Sequence, residues 1–309
     1  VLPGIAMYFA GQWIVNLNYW GCNQYITQRA LGADLKTART GILFAGMLKL
    51  MMPVIVMLPG IAAYVLYKNG HLPQLHGGSK DGAYSAILGF LPSGLKGLSV
   101  AALTAAIVAS LAGKANSIST IFTLDIYKKY FKTDASETNM VWVGRITVWT
   151  AMIVAVFFTW EDTLGIGGEG GFTFIQKYTG FISPGVFAIF ILGMFWPRTT
   201  GLAAIAGVIT GFAMSVVFNN YAPAWFGNET ILYTAYSDGN GGYEIPFLIC
   251  MGWSFFFTVL VMVVLSLFGP ARNPKAFALE KAMFKLEPRI WAMIITMLCI
   301  LTALYVKFW

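Results

Sequence analysis

The segment GLSVAALTAAIVASLAGKANSISTIF, residues 97–122, is mostly apolar, yet it carries Lys114 in its interior. A helix crossing a ~30 Å hydrocarbon layer needs about 20 predominantly apolar residues, so the stretch reads as a membrane span. A charge at the centre of such a helix costs about 2.5–3.5 kcal/mol even on the lenient insertion scale, and intramembrane charges therefore face a water-filled cavity, a substrate or an ion path. Ala106, Ser110 and Lys114 are spaced by four and share one stripe of the helix, with Thr104, Asn116, Ser117, Ser119 and Thr120 close by. Hydroxyls and carbonyls on that stripe can replace the hydration shell of a small hard cation. Small residues equally let helices approach closely, and spacing alone leaves both roles open.

Seven further stretches of similar character lie at 4–22, 41–66, 141–160, 172–196, 200–219, 244–268 and 289–307, which makes eight expected spans. Of 309 residues 58% are hydrophobic and 11% charged, with a mean hydropathy of +0.70, whereas a soluble domain is about 25% charged. The composition predicts an all-α polytopic membrane protein with the lipid bilayer as its main partner.

The net charge of +7 does not point to nucleic acid, because the basic residues alternate with the spans. The loops after the first, third, fifth and seventh spans are expected to hold Arg29, Lys36 and Arg39, then Lys128, Lys129, Lys132 and Arg145, then Arg198, then Arg272, Lys275, Lys281, Lys285 and Arg289. The connections after the even spans are richer in acids, including Glu161, Asp162, Glu169, Glu229, Asp238 and Glu244. The positive-inside rule then places both ends outside. Cys22, Cys250 and Cys299 lack the spacing of a zinc site or a disulfide framework. The chain opens on Val1 with no basic leader, and a fragment of a longer protein is expected.

Polar groups recur inside other spans. Asn16, Tyr19 and Trp20 stand at i, i+3 and i+4, putting an amide, a phenol and an indole on one face beside Asn18. Such a face suits a sugar, which offers C–H groups on its ring faces and hydroxyls around its rim; it would equally suit an interfacial aromatic pair at a helix end. Lys49 lies too deep in the second span to reach water easily and offers three donors, to a ligand or to helix-end carbonyls. Gln176 and Thr179 add a donor and acceptor face to the fifth span, for a ligand or a neighbouring helix. The first and fifth spans carry breakers, Gly21 in one and Gly180 and Pro184 in the other, and interrupted helices of this kind can leave backbone groups for a ligand. The glycine run 165–171 has no strand before it and reads as a hinge. His71 and His76 read as solvated loop residues, and no serine, histidine and acid can be grouped, so an enzyme is not expected.

The segment Tyr19-Trp20-Gly21-Cys22-Asn23-Gln24-Tyr25-Ile26-Thr27-Gln28-Arg29 resembles the Tyr-Trp, Gln and Gln-Arg pattern of the solute:sodium symporter family, particularly its bacterial sodium/galactose (sodium/glucose) branch. Lys49-Leu50 with Pro53 and Leu58-Pro59-Gly60, then Asn116 through Asp125-Ile126-Tyr127, then Ile175-Gln176-Lys177-Tyr178-Thr179-Gly180 with Ser183-Pro184-Gly185, are similar to later helices of that family in the same order. The resemblance implies a LeuT-type inverted-repeat fold. Residues 1–196 would be the second five-helix repeat, 197–309 three peripheral helices, and the first repeat, a partner encoded ahead of Val1, would be absent. It also implies sodium-coupled sugar transport in the plasma (inner) membrane, with sodium as coupling ion. Asn16, Lys49 and Gln176 would hydrogen-bond the sugar, Tyr19 would stack on it as inner gate, and Trp20 would support the gate. The Ala106 carbonyl and Ser110 hydroxyl would bind sodium. Another organic solute, or a transporter-like sensor, is the alternative.

One departure from the pattern concerns the ion. Where the branch has adjacent serines this chain reads Ala109-Ser110, and Lys114 follows one turn later. Its ammonium is expected to stand in for a second cation or to modulate the sodium site by repulsion. Lys114→Met is expected to change the sodium concentration that supports half-maximal uptake; an unchanged sodium response and transport rate would instead assign Lys114 to reaching water from its end of the span.

Overall fold

A segment surrounded by lipid satisfies all its backbone groups internally only as a helix or within a closed barrel. The computed structural model, which describes residues 5–72, 82–160, 171–238 and 241–308, is helical over most of that length. Helix α1 covers residues 5–21, with a π-turn at Tyr8–Gln12 ahead of Trp13–Gly21. It is followed by α2 (Gln24–Leu31), α3 (Leu35–Lys68), α4 (Ala83–Leu88), α5 (Ser93–Phe131) and α6 (Glu137–Thr159). Next come α7 (Gly171–Thr179) and α8 (Ser183–Phe195), α9 (Gly201–Phe226) and α10 (Phe247–Leu267), and α11 (Pro288–Phe308). Between α9 and α10 a short antiparallel hairpin pairs Tyr236 with Glu244 and Ser237 with Tyr243.

Six of the eight expected spans are helices long and apolar enough to cross a membrane: α3, α5, α6, α9, α10 and α11. The fifth expected span is the pair α7 and α8, bent by 47° at the break around Gly180. The first, α1, falls short of span length among the described residues. The chain is a multi-pass helical membrane protein.

Two helix boundaries depart from expectation. Lys36 and Arg39 ride on α3 rather than on a loop, because Asp34 adopts extended backbone and its carboxylate accepts from Thr37 N–H at 3.1 Å, capping the helix. The hydrogen bonds from Thr37 hold the Asp34 carboxyl below its usual value. Lys128 and Lys129 likewise belong to α5, which continues in π form through Ile121–Phe131 until Lys132 turns extended. Inside α3, Pro53 lacks an N–H and its ring crowds the preceding turn. The helix accommodates it with a π-turn over Pro53–Met57, after which Leu58 N–H returns to the Pro53 carbonyl. The glycine run up to Gly170, and His76, lie outside the described residues.

The chain divides into two compact units, one of residues 1–27 and 172–285, the other of 28–171 and 286–309. In the first unit α8, α9 and α10 pack side by side, and α1 lies across α10. Small residues set the spacing. A methyl on Gly211 would sit 2.8 Å from Gly185 Cα, and one on Gly207 would sit 2.7 Å from Met262 Sδ. Where α1 meets α10, a methyl on Gly252 would come within 2.7 Å of the Ala10 carbonyl oxygen, and one on Gly11 would strike the Leu248 carbonyl. Rings complete the contact: Trp13 meets Phe187 and Phe255 edge-on at 5.7 and 5.3 Å, and those two stack at 5.5 Å.

In the second unit α5 and α6 cross at Gly144, where a methyl would lie 2.5 Å from Ser119 Oγ. Helix α3 packs against α11, with Lys36 and Glu287 paired at 3.3 Å on the surface. The apolar windows of α3 and α5 are 0% buried within the chain, against 28% for α9 and 33% for α10. The first unit therefore has an interior, whereas the helices of the second present apolar faces outward.

Gly11→Val is expected to force α1 away from the Leu248 backbone, at a cost of about 1–3 kcal/mol. The check is a lowered thermal midpoint of the purified protein in detergent; the same change at Gly41, which has open space around it, is expected to move the midpoint far less.

Candidate functional site

The first-unit candidates sit on α1 and α7. Asn16 is half-buried, and its amide donates at 2.8 Å to the Gln12 carbonyl at the end of the π-turn. That bond ties the side-chain nitrogen to its own helix. Tyr19 and Trp20 make an edge-on contact at 5.8 Å, with the Tyr19 ring exposed. The neighbouring Asn18 oxygen is buried and, among the described residues, has no hydrogen-bond partner. The helix runs unbroken through Asn16 to Gly21; the break expected amid these residues falls instead at Cys22 and Asn23, where the Asn23 side chain accepts from Tyr25 N–H at 3.0 Å and starts α2.

Gln176 is half-buried on α7, one turn before the break. The backbone groups at that break already have protein partners. Gly180 N–H reaches the Gln176 and Lys177 carbonyls, Phe181 N–H that of Tyr178, and Ile182 N–H that of Thr179. Ser183 donates to the Thr179 carbonyl at 2.9 Å. The Ser215 hydroxyl, fully buried on α9, lies 3.4 Å from the Gly180 carbonyl and 3.0 Å from Ser254 Oγ. Hydroxyl protons rotate, so the serine pair can donate one to the carbonyl while bonding each other. The freed amides that the sequence suggested for a ligand thus serve the fold itself. Lys177, beside Gln176, pairs with Glu244 of the hairpin at 3.3 Å.

The other candidates lie in the second unit. Lys49 is on α3, one turn before the Pro53 π-turn. Ala106, Ser110 and Lys114 lie along α5, all exposed on this chain.

The family model described as the sodium:solute symporter family matches residues 2–211. Over its whole length the chain is 38% identical to a sodium/glucose cotransporter of Vibrio parahaemolyticus, covering 55% of that relative. It is 34% identical to the mouse sodium/myo-inositol cotransporter 2 over 70% of this chain and 33% of the relative. A sodium/myo-inositol cotransporter of the dog is 31% identical over 87% of this chain and 38% of the relative. The chain belongs to the sodium:solute symporter family. It spans about half the length, or less, of these relatives.

Sequence reasoning about this symporter-family chain overlooked Ser215. The signal was present, since Gly207, Gly211 and Ser215 recur every fourth residue in an apolar span and so share one face. It also missed a cavity of about 720 Å³ between α5 and α6, lined by Asn116, Ser119, Thr120, Thr123, Glu137 and Arg145 among others. Neither Ala106 nor Ser110 lines it. At 100° per residue Asn116 and Ser119 point about 120–180° away from Ser110.

Ser215→Ala removes the buried donor to the Gly180 carbonyl, and a loss of about 1 kcal/mol is expected. A thermal midpoint lowered by this change, but not by Thr302→Ala on the exposed face of α11, checks it.

Proposed function

We propose that the chain is the C-terminal part of a sodium-coupled sugar symporter that works by alternating access in the plasma (inner) membrane. The observation that carries this reading is the bent pair α7 and α8, with Gln176 one turn before the break, in a chain of the sodium:solute symporter family. Broken helices in transporters of this architecture bring polar groups to the middle of the bilayer. On this reading residues 1–196 form the second five-helix repeat of a LeuT-type fold and 197–309 three peripheral helices, and helices that complete the relatives' length supply the first repeat.

Each candidate then has a role. The Asn16 oxygen, the Lys49 ammonium and the Gln176 amide hydrogen-bond sugar hydroxyls. The exposed Tyr19 ring stacks on the sugar and closes over it, held at its edge by Trp20. The Ala106 carbonyl and Ser110 hydroxyl coordinate sodium, whose release loosens the site, with Lys114 tuning its affinity. Sodium binding favours the outward-open state and thereby couples the ion gradient to uptake. The names of the relatives support a polyhydroxylated substrate, glucose in one case and myo-inositol in others.

The test is uptake by the complete protein in sealed vesicles, with labelled glucose, galactose and myo-inositol, each with and without an inward sodium gradient. Accumulation of a labelled hexose only with the gradient, reduced at least tenfold by Gln176→Leu, is the expected result. Gradient-dependent accumulation of myo-inositol alone would replace the sugar by a cyclic polyol. Binding without transport would indicate a solute sensor.

A further inference from the structure

Gln28 closes a hydrogen-bonded clasp on α5 that neither the expected sugar site nor the expected sodium site uses. Its side-chain nitrogen donates to Thr120 Oγ1 at 3.2 Å, and its oxygen lies 3.5 Å from Ser117 Oγ. Both hydroxyls are also bonded to their own helix, Thr120 donating to the Asn116 carbonyl at 2.8 Å and Ser117 to the Gly113 carbonyl at 3.2 Å. The bond directions are consistent. The Thr120 proton goes to its helix, which leaves the oxygen to accept from Gln28, while the Ser117 proton is shared between the Gly113 and Gln28 oxygens. Only a side chain that both donates and accepts fits this pair, and among uncharged side chains of this length glutamine does so.

The clasp is built on a particular face. At 100° per residue, Ala106, Ser110 and Ser117 fall within about 60° of one another around α5, and Ser117 is about 10 Å beyond Ser110 along the axis. Ser117 is 7% exposed, whereas Ala106 and Ser110 are open on this chain, so the stripe is closed over at the residue that Gln28 grips.

We propose that Gln28 is a positioning residue for sodium coupling: it latches α2 onto the end of the stripe that carries Ala106 and Ser110, and the latch must open for sodium to leave along that stripe. The proposal rests on the symport reading above. Gln28 does not touch the ion; it acts by setting the position of α2 and the hydroxyls of Ser117 and Thr120.

The experiment is sodium-dependent uptake by the complete protein in proteoliposomes, comparing the unaltered protein with Gln28→Leu, Thr120→Val and the double variant. Gln28→Leu keeps the bulk of the side chain and removes both bonds, and Thr120→Val keeps the shape and removes one. Each single change is expected to shift the sodium concentration for half-maximal uptake by about three- to tenfold, the range of single interhelical bonds in membranes. The sugar KM at saturating sodium is expected to move less than twofold, and the double variant to be no worse than the larger single. A purely structural role would lower the amount of active protein and the maximal rate with sodium half-saturation unchanged, and that result overturns the proposal. Independent, multiplicative effects of the two changes overturn it as well. Should Gln28→Leu fail to assemble, Thr120→Val alone decides, by the same shift or its absence. Sodium-independent uptake by the unaltered protein would overturn the symport reading itself and this proposal with it, which separates that failure from a failure of the latch.

Discussion

A backbone amide or carbonyl left bare in hydrocarbon costs several kcal/mol, and at several departures from regular α-helix among the described residues a specific group makes good the loss. The π-turn in α1 ends where the Asn16 amide takes up the Gln12 carbonyl. The break between α7 and α8 is closed by short-range backbone bonds, by Ser183 on the Thr179 carbonyl and by Ser215 on that of Gly180. At the far end of α10, Arg198 donates to the Leu267 carbonyl at 3.2 Å and Asn273 to that of Thr199 at 2.8 Å. Polar residues in these apolar spans serve the architecture first, and a ligand at the break would meet an already bonded backbone.

Lipid is as apolar as leucine, so helices associate in it through close contact rather than through exclusion of water. That explains why glycines mark the crossings in the first unit, Gly11 and Gly252 between α1 and α10, Gly185 and Gly211 between α8 and α9. Interhelical approach at those points brings in buried hydroxyls such as Ser254 and Thr258, both inaccessible to solvent and both bonded within the protein. The second unit uses the same device at Gly144 against Ser119 and at Gly46 against Met297, and leaves the apolar faces of α3 and α5 outward. Ser110 on α5 is exposed, whereas Ser215 and Ser254 are buried and bonded to each other.

Outside the membrane the same accounting holds in more familiar form. Tyr233, in the connection between α9 and α10, is buried and donates to the Ala222 carbonyl at 2.8 Å, lying 3.1 Å from that of Gly227. Burial pushes its phenol above the usual value, so it stays neutral and keeps donating. Gly227 itself turns through φ +88°, a conformation that glycine adopts without strain, and lets the chain double back onto the tyrosine.

The amino-acid sequence by itself determined the membrane class, the approximate positions of the spans, the family pattern and the polar residues worth attention, because hydropathy over some 20 residues and spacing along one helix are local properties. Helix ends were less legible, since they depend on a cap such as Asp34 or on a π-register such as that of residues 121–131, which a hydropathy window does not register. Only the tertiary structure decided which polar groups are occupied: that Asn16 holds its own helix, that Ser215 answers the Gly180 carbonyl from 35 residues away, and that Gln28 grips Ser117 and Thr120 some 90 residues on. The last two pairings join distant segments through single bonds of 3.2–3.5 Å, and no pattern of neighbours along the chain encodes such a distance.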